Sequence, residues 1–285
     1  MMRIFAPGKL VVLGEYAVLY RGGAIVAAVD RGVVCTVSEG DSVETPGDDR
    51  FARAGLRAAE APPRCYLFSD AVPWTLGGKP GFGGSAAAVV SACAAGLAAR
   101  EADGTPLLQL AQEAHLKVQG SGSGLDVRAS VEGDLRRVQG DQSTLLPALE
   151  LSAIYSGRSA QTGPRVARYL AWENRAAFVS DSAALVQSFD EDPVAALREA
   201  GRLLAAMAVH AGIDYTTPAL GRIAELAAEH GGAAKPSGAG GGDIAVAWIP
   251  DPTARDAFHI ACAAQELVPV PVALSPGVHL RASNV

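Results

Sequence analysis

The run Gly81-Phe82-Gly83-Gly84-Ser85 stands directly before a segment of small, helix-forming residues, Ala86 to Arg100. Three glycines in four positions leave the backbone bare. The helix that follows offers the unpaired N–H groups of its first turn and the positive end of its dipole. Such a junction suits a phosphate, because glycine lets an anion approach the main chain and permits positive φ. Ser85 adds a hydroxyl for a phosphate oxygen or for a bound Mg2+. The same residues also suit a tight turn capped by Ser85, and glycine-rich loops are common. On this stretch alone both readings stand.

The rest of the chain narrows the choice. At 285 residues there is room for one large or two medium domains. Apolar content of 49% and charged content of 19% suit a globular chain. A net charge of −6 with no basic run argues against a nucleic-acid surface. The Ala-rich segment is interrupted by Ser91 and Gly96, so no apolar run is expected to span a membrane. Lys9, Gly14 and Glu15 interrupt the N-terminus, which does not read as a signal peptide. Cys35, Cys65, Cys93 and Cys262 lack metal spacing, and three lie in apolar segments, as core thiols of a reducing compartment do. A cytoplasmic location is the expectation.

Of 24 basic residues only Lys9, Lys79, Lys117 and Lys235 are lysines. Each sits in or beside a glycine-containing stretch. A lysine ammonium is a compact, flexible point charge suited to a phosphate in a tight site, whereas arginine is a planar fork. Chance accounts for a number this small equally simply, so the lysines serve as pointers.

Taken in order, Ile4 to Gly14 reads as two strands broken at Pro7-Gly8, with Lys9 just after the break. Ala24–Val29 and Val33–Val37 read as strands split by Asp30-Arg31-Gly32. Phe51 to Ala61 suits a short helix ended by Pro62-Pro63, and Cys65–Phe68 a strand. Thr105 and Pro106 suit the cap and first position of a helix over Leu107–Val118. There follows His115-Leu116-Lys117-Val118-Gln119-Gly120-Ser121-Gly122-Ser123-Gly124-Leu125-Asp126. It reads equally as a second phosphate-approaching loop with Asp126 beside the reacting groups, or as a flexible connection with Asp126 as a helix N-cap. Leu145–Tyr155 is strand-like, and the turn Ser156–Gly163 looks like the seam between two halves. Residues 176–230 are mainly helical, with breaks near Asp190–Pro193 and Gly212–Pro218. The third glycine stretch, Gly231 to Asp243, feeds a strand Ile244–Ile249; a helix Thr253–Glu266 and a strand Leu267–Leu274 follow.

The order of these stretches carries a resemblance. Ala6-Pro7-Gly8-Lys9, Gly81-Phe82-Gly83-Gly84-Ser85-Ala86-Ala87 and Lys235-Pro236-Ser237-Gly238-Ala239-Gly240-Gly241-Gly242-Asp243 resemble the three signature motifs of the GHMP small-molecule kinases. That family is named for galactokinase, homoserine kinase, mevalonate kinase and phosphomevalonate kinase. Within it the chain is most similar to the branch that phosphorylates mevalonate 5-phosphate, on three features. They are the lysine two residues before the phosphate loop, the run His115–Asp126, and the lysine-headed third motif ending in Gly-Gly-Asp. Where the mevalonate kinase branch carries a magnesium-binding glutamate, eleven residues before the aspartate, this chain has His115.

The resemblance implies an α+β fold of α/β sandwich type. Residues 1–155 would form an ATP-binding domain like the second domain of ribosomal protein S5, and residues 156–285 a ferredoxin-like C-terminal domain, with the active site in the cleft between them. It implies ATP and Mg2+ as cofactors, a small-molecule acceptor, no nucleic acid or membrane, and a monomer or homodimer. Lys9 and Asp126 would be catalytic. Lys79, Gly81, Phe82, Gly83, Gly84, Ser85 and Ala86 would bind ATP, and Ser85 and Asp126 the metal. Lys9, His115, Lys117, Ser123, Gly124, Arg158, Ser159, Lys235, Ser237, Gly238, Ala239 and Gly240 would bind the acceptor. The expected reaction is ATP-dependent phosphorylation of (R)-5-phosphomevalonate to 5-diphosphomevalonate. The alternatives are a mevalonate kinase or another alcohol kinase on this scaffold, and a non-catalytic ligand-binding protein. Two departures bear on this: Gly84 replaces the first of the family's paired serines, and the region between Gly40 and Pro63 is short.

Overall fold

A computed structural model describes residues 1–76 and 81–281. In chain order its elements are β1 (Met2–Leu13), a 3-10 turn (Ala17–Tyr20), β2 (Ala24–Ser38), β3 (Ser42–Glu44), α1 (Arg50–Ala58), β4 (Cys65–Asp70), α2 (Gly84–Ala99) and α3 (Leu107–Gln119). Next come α4 (Leu125–Glu132), β5 (Leu135–Gln139), β6 (Gln142–Leu145), β7 (Ser152–Tyr155), α5 (Thr162–Ala171), α6 (Ala176–Ser188) and α7 (Pro193–Ala211). The chain ends with α8 (Pro218–Glu229), β8 (Ala233–Pro236), β9 (Ile244–Trp248), α9 (Pro252–Ala263), β10 (Val268–Val270) and β11 (His279–Leu280).

Two sheets organise these elements. The first runs β11-β1-β2-β4-β3, with β5 and β6 joined along the other end of β2. The second runs β10-β7-β9-β8. The α+β class expected from the resemblance is what the chain adopts. The halves exchange strands at their margins: β7 pairs with β9 and β10, while β11 returns to pair with β1.

Neither break expected in the first two strands interrupts them. Pro7-Gly8 lies inside β1 and Asp30-Arg31-Gly32 inside β2, opposite each other, where the register shifts between Ala6 and Gly8. A bulge absorbs both. Glycine is required there, since a Cβ on Gly8 would stand 1.9 Å from Arg31 O and one on Gly32 2.0 Å from Ala6 O. The bulge leaves Lys9 on an unbroken strand, with its backbone held on both sides.

Alternation distributes the core. Ile4, Ala6, Val33 and Cys35 pack under α1, α2 and α3, and α2, made of small apolar residues, is buried on most of its surface. Farther along the same strands, Leu10, Val12, Ile25 and Ala27 pack against Ala153, Tyr155, Ile244 and Val246 of the second sheet and Leu197 of α7. The opposite face of the second sheet, through Ile154, Ala245 and Ala247, is covered by α8 and α9. The two sheets thus share one core, and the strand ends that meet there carry the glycine loops. All four cysteines are free thiols; Cys35, Cys93 and Cys262 are buried, as expected of core thiols. Among the described residues no helix is long and apolar enough to cross a membrane.

Smaller differences follow local rules. Pro106 is the cap residue of α3 rather than its first turn, its extended backbone (ψ 92) ending the preceding loop. The strand expected over Leu145–Tyr155 divides into β6 and β7, with Pro147 between them, and that over Leu267–Leu274 shrinks to β10, with Pro271 just past its end, because proline cannot donate to a ladder.

Candidate active site

Three chain segments far apart in sequence meet at Lys9. Its backbone N–H donates to Phe82 O at 2.8 Å, which places the glycine loop across β1. Gly81 and Gly83 both take left-handed backbone (φ 72 and 75). Gly83 leaves room for what lies beneath: a Cβ there would stand 3.0 Å from Lys9 Cγ and 3.5 Å from Asp126 Oδ2. Lys9 Nζ lies 3.7 Å from Asp126 Oδ2. Asp126 belongs to the first turn of α4, whose cap residue is Gly124 in left-handed conformation, not Asp126 itself.

Among the described residues no side chain caps the N-terminus of α2. Ala86 and Ala87 N–H donate to Gly83 O at 3.1 and 3.2 Å, and the positive end of the helix dipole at this terminus suits an anion. Ser85 does not cap the helix; its hydroxyl lies 3.3 Å from His115 Nε2. His115 is buried on α3 against the ring of Phe51, and burial holds its imidazole below the ordinary value despite an opposing pull from Asp126.

The third glycine stretch is fastened to the far end of β1. Ser237 Oγ accepts Val11 N–H at 2.8 Å, and Tyr16 Oη donates to Ala239 O at 2.7 Å. Glu15 accepts Gly238 N–H at 3.3 Å and forms an ion pair with Lys235. A Cβ on Gly238 would stand 3.7 Å from Lys9 Nζ, so this loop borders the same ammonium. Lys235 departs from the expected role. Its side chain is 0% exposed, committed to Glu15 and to Pro236 O (3.0 Å), and burial lowers its pKa. An ammonium enclosed in this way braces the loop and does not reach an acceptor.

The other expected acceptor residues fall into three places. Arg158 and Ser159 are exposed on the turn before α5, tied to Asp243. Ala239 and Gly240 belong to the third loop, where Gly240 presses on Tyr215. His115, Ser123 and Gly124 line a cavity of about 470 Å3 together with Arg21, Gln112 and Arg128. Lys117 is exposed on α3 and is not among the residues lining that cavity. Lys79 lies outside the described residues.

The resemblance implies ATP with Mg2+, and the donor set suits that ion. Among the described residues no three His, Cys, Asp or Glu side chains gather into a metal cage. Mg2+ is ordinarily held by one or two carboxylates together with substrate phosphates and water. Asp126, 38% exposed beside the loop, and the Ser85 hydroxyl fit that pattern.

Reading the sequence missed three residues of this site. Glu15 was visible only as an acid behind Lys9. Asp243 was visible only as the end of a motif. Arg165 carried no signal, yet its guanidinium lies on the bare backbone of Gly241, where a Cβ would stand 1.9 Å from Nη2. It is held there by Asp214 O (3.1 Å) and Gln161 O (2.7 Å).

Comparison with known proteins bears on the fold and the class of protein. Residues 193–265 match the family described as GHMP kinases C terminal. The chain is 28% identical to the phosphomevalonate kinase of Streptomyces sp. (strain CL190) over an alignment of 360 positions, covering 96% of each protein. It is 32% identical to the mevalonate kinase of Methanothermobacter thermautotrophicus over 181 positions, 55% of this chain and 58% of that one. The Streptococcus pneumoniae phosphomevalonate kinase, solved with phosphomevalonate and AMPPNP, superposes with a TM-score of 0.82 over 96% of this chain and 100% of that one, at 20% identity. In fold, in the matched segment and along the full-length relative, the chain is similar to kinases of the GHMP class. Within that class, one relative that it resembles along its whole length is a phosphomevalonate kinase, and mevalonate kinase shares the fold over 96% of this chain with a TM-score of 0.80 at 16% identity.

Proposed function

We propose that this chain transfers the γ-phosphoryl group of ATP to the phosphate of (R)-5-phosphomevalonate, releasing ADP and 5-diphosphomevalonate. The observation that supports this best is the setting of Lys9. Its ammonium stands between the glycine loop, one carboxylate and the third loop, with His115 and not a second acid behind Ser85. An acceptor that is already an ionised phosphate needs no general base; bringing two polyanions together is the difficulty.

Phosphoryl transfer depends on in-line placement and charge stabilisation more than on covalent help. In this reading the N-terminus of α2 and the residues Gly81–Ala86 cradle the nucleotide phosphates. Lys9 faces the transferred group, and Asp126 keeps the ammonium in place. Ser85 and Asp126, together with the phosphates, would hold Mg2+, which would supply neutralisation of phosphate charge when bound. Arg158, Ser159, Ser237 and Gly238 hold the acceptor, with His115, Ser123 and Gly124 forming the adjoining wall. Residues 1–155 thus serve mainly the nucleotide and residues 156–285 mainly the acceptor, in a cytoplasmic monomer or homodimer.

The test measures ADP release from Mg2+-ATP with mevalonate 5-phosphate and mevalonate offered separately. Turnover with the phosphate alone is expected. Turnover with mevalonate alone would make Asp126 a general base and overturn the assignment of acceptor. No turnover with either would favour the binding-protein alternative.

A further inference from the structure

Asp243 ends the third glycine stretch in left-handed conformation (φ 56), which few residues with a side chain adopt. Both its backbone and its side chain are engaged with the turn that carries Arg158 and Ser159. Its N–H donates to Arg158 O at 2.7 Å, and its C=O accepts Ser156 N–H at 2.9 Å. Its Oδ1 accepts Ala160 N–H at 3.1 Å. The Ser159 side chain hydrogen-bonds the same carboxylate.

The other side of Asp243 touches the phosphate loop. A Cβ on Gly81 would stand 2.8 Å from Asp243 Cβ and 3.3 Å from its Oδ2. Lys9 and Arg165 also act on this carboxylate electrostatically. The loop at Gly81 leads into α2 over the first sheet, whereas Asp243 leads into β9 of the second. One half-buried side chain therefore joins the two loops to which the proposed reaction assigns its two substrates.

We propose that Asp243 is a positioning residue that fixes the turn 156–160 against the phosphate loop at Gly81, and so sets the acceptor phosphate in line with the phosphoryl group it receives. This rests on the reading of the site given above. Asp243 acts through Arg158, Ser159 and Gly81. A displacement near 1 Å at a reacting centre costs on the order of 100-fold in rate, which is why such a joint matters in a site assembled from two sheets.

Two variants of the full chain separate geometry from charge. Asp243→Gly keeps the left-handed backbone and removes the side chain. Asp243→Asn also tolerates that backbone, keeps an oxygen for Ala160 N–H and supplies an amide to the Ser159 hydroxyl. Steady-state kinetics are measured with Mg2+-ATP and mevalonate 5-phosphate, AMPPNP affinity by calorimetry, and every assay is run below the variant's thermal midpoint.

For Asp243→Gly, kcat should fall and the acceptor KM rise, each by about 10- to 100-fold, with AMPPNP affinity unchanged within about threefold. Asp243→Asn should recover both parameters to within about threefold. Wild-type kinetics in Asp243→Gly would overturn the inference while leaving the proposed reaction intact. Equal loss in Asn and Gly variants would also overturn it, since charge would then be what matters. If the wild-type chain does not use mevalonate 5-phosphate, the reading beneath the inference fails, and the inference with it.

Discussion

Lys235→Met offers the sharpest test of how the third loop is held. The Lys235 and Glu15 side chains are 0% and 2% exposed, and they lie 220 residues apart in the chain. Methionine preserves most of the stem and removes the ammonium. Among the described residues Glu15 is then left as a buried carboxylate whose one remaining donor is Gly238 N–H at 3.3 Å, with its Oε2 already lacking a partner. Breaking one side of a buried pair costs about 3–5 kcal/mol. For a chain of this size that is a fall in thermal midpoint of roughly 5–8 °C. The double variant Glu15→Gln/Lys235→Met removes both charges and leaves an amide oxygen for Gly238 N–H, so it should lie within about 2 kcal/mol of wild type. Urea denaturation followed by circular dichroism, with thermal melting alongside, measures all the corners of this cycle, the Glu15→Gln single variant included. A cost below about 1 kcal/mol for Lys235→Met, or additive losses in the double variant, would refute the claim that burial makes each charge depend on the other.

Three further outcomes follow from the same geometry. Lys9→Ala and Asp126→Asn should each lower kcat by about 100- to 1000-fold in a chain that still folds, and near-normal turnover in both would remove them from the reaction centre. Gly84→Ser should be accommodated, because a Cβ there meets nothing within 4 Å among the described residues. Its stability should change by less than about 0.5 kcal/mol, with tighter Mg2+-AMPPNP binding by calorimetry; weaker binding would show that the added hydroxyl does not face the phosphates. His115, held below its ordinary 6.5 by burial, takes up a proton less readily in the folded chain than in the unfolded one. The stability it lends is complete above about pH 6.5 and is lost as pH falls below that value. His115→Gln should flatten the dependence of unfolding free energy on pH just below about 6.5, and an unchanged slope would contradict the assignment.

Local signals in the sequence located most helices and all three glycine loops. Glycine and proline spacing marked the loops, and small-residue runs marked the helices, because both depend on a few neighbouring residues. The same signals misled at Pro7-Gly8 and Asp30-Arg31-Gly32. Read alone, each is a strand breaker; paired across β1 and β2, they form one bulge. The bulge depends on both at once, and no window along the chain contains both. Lys235 misled for a similar reason. A lysine heading a glycine loop reads as a phosphate ligand until Glu15 is seen to meet it inside the protein.

These misreadings share a cause that also explains how the site works. The residues visible as motifs, Lys9, Gly83, Ser85 and Asp126, carry charge or bare backbone, and chemistry selects them by type. The residues that bring the motifs together, Glu15, Lys235 and Asp243, are ordinary charged residues whose meaning lies in partners on the other sheet. A phosphoryl-transfer site built on one loop would need no such partners. In the proposed site β1 would supply the ammonium, the turn before α2 the phosphate cradle, and the approach to β9 the third wall, so relative placement would have to be maintained across the shared core. Losses confined to stability would identify Glu15–Lys235 as a brace, whereas losses confined to acceptor kinetics would identify Asp243 as an aligner. Measuring both quantities in both sets of variants therefore separates holding the two sheets together from aiming one substrate at the other.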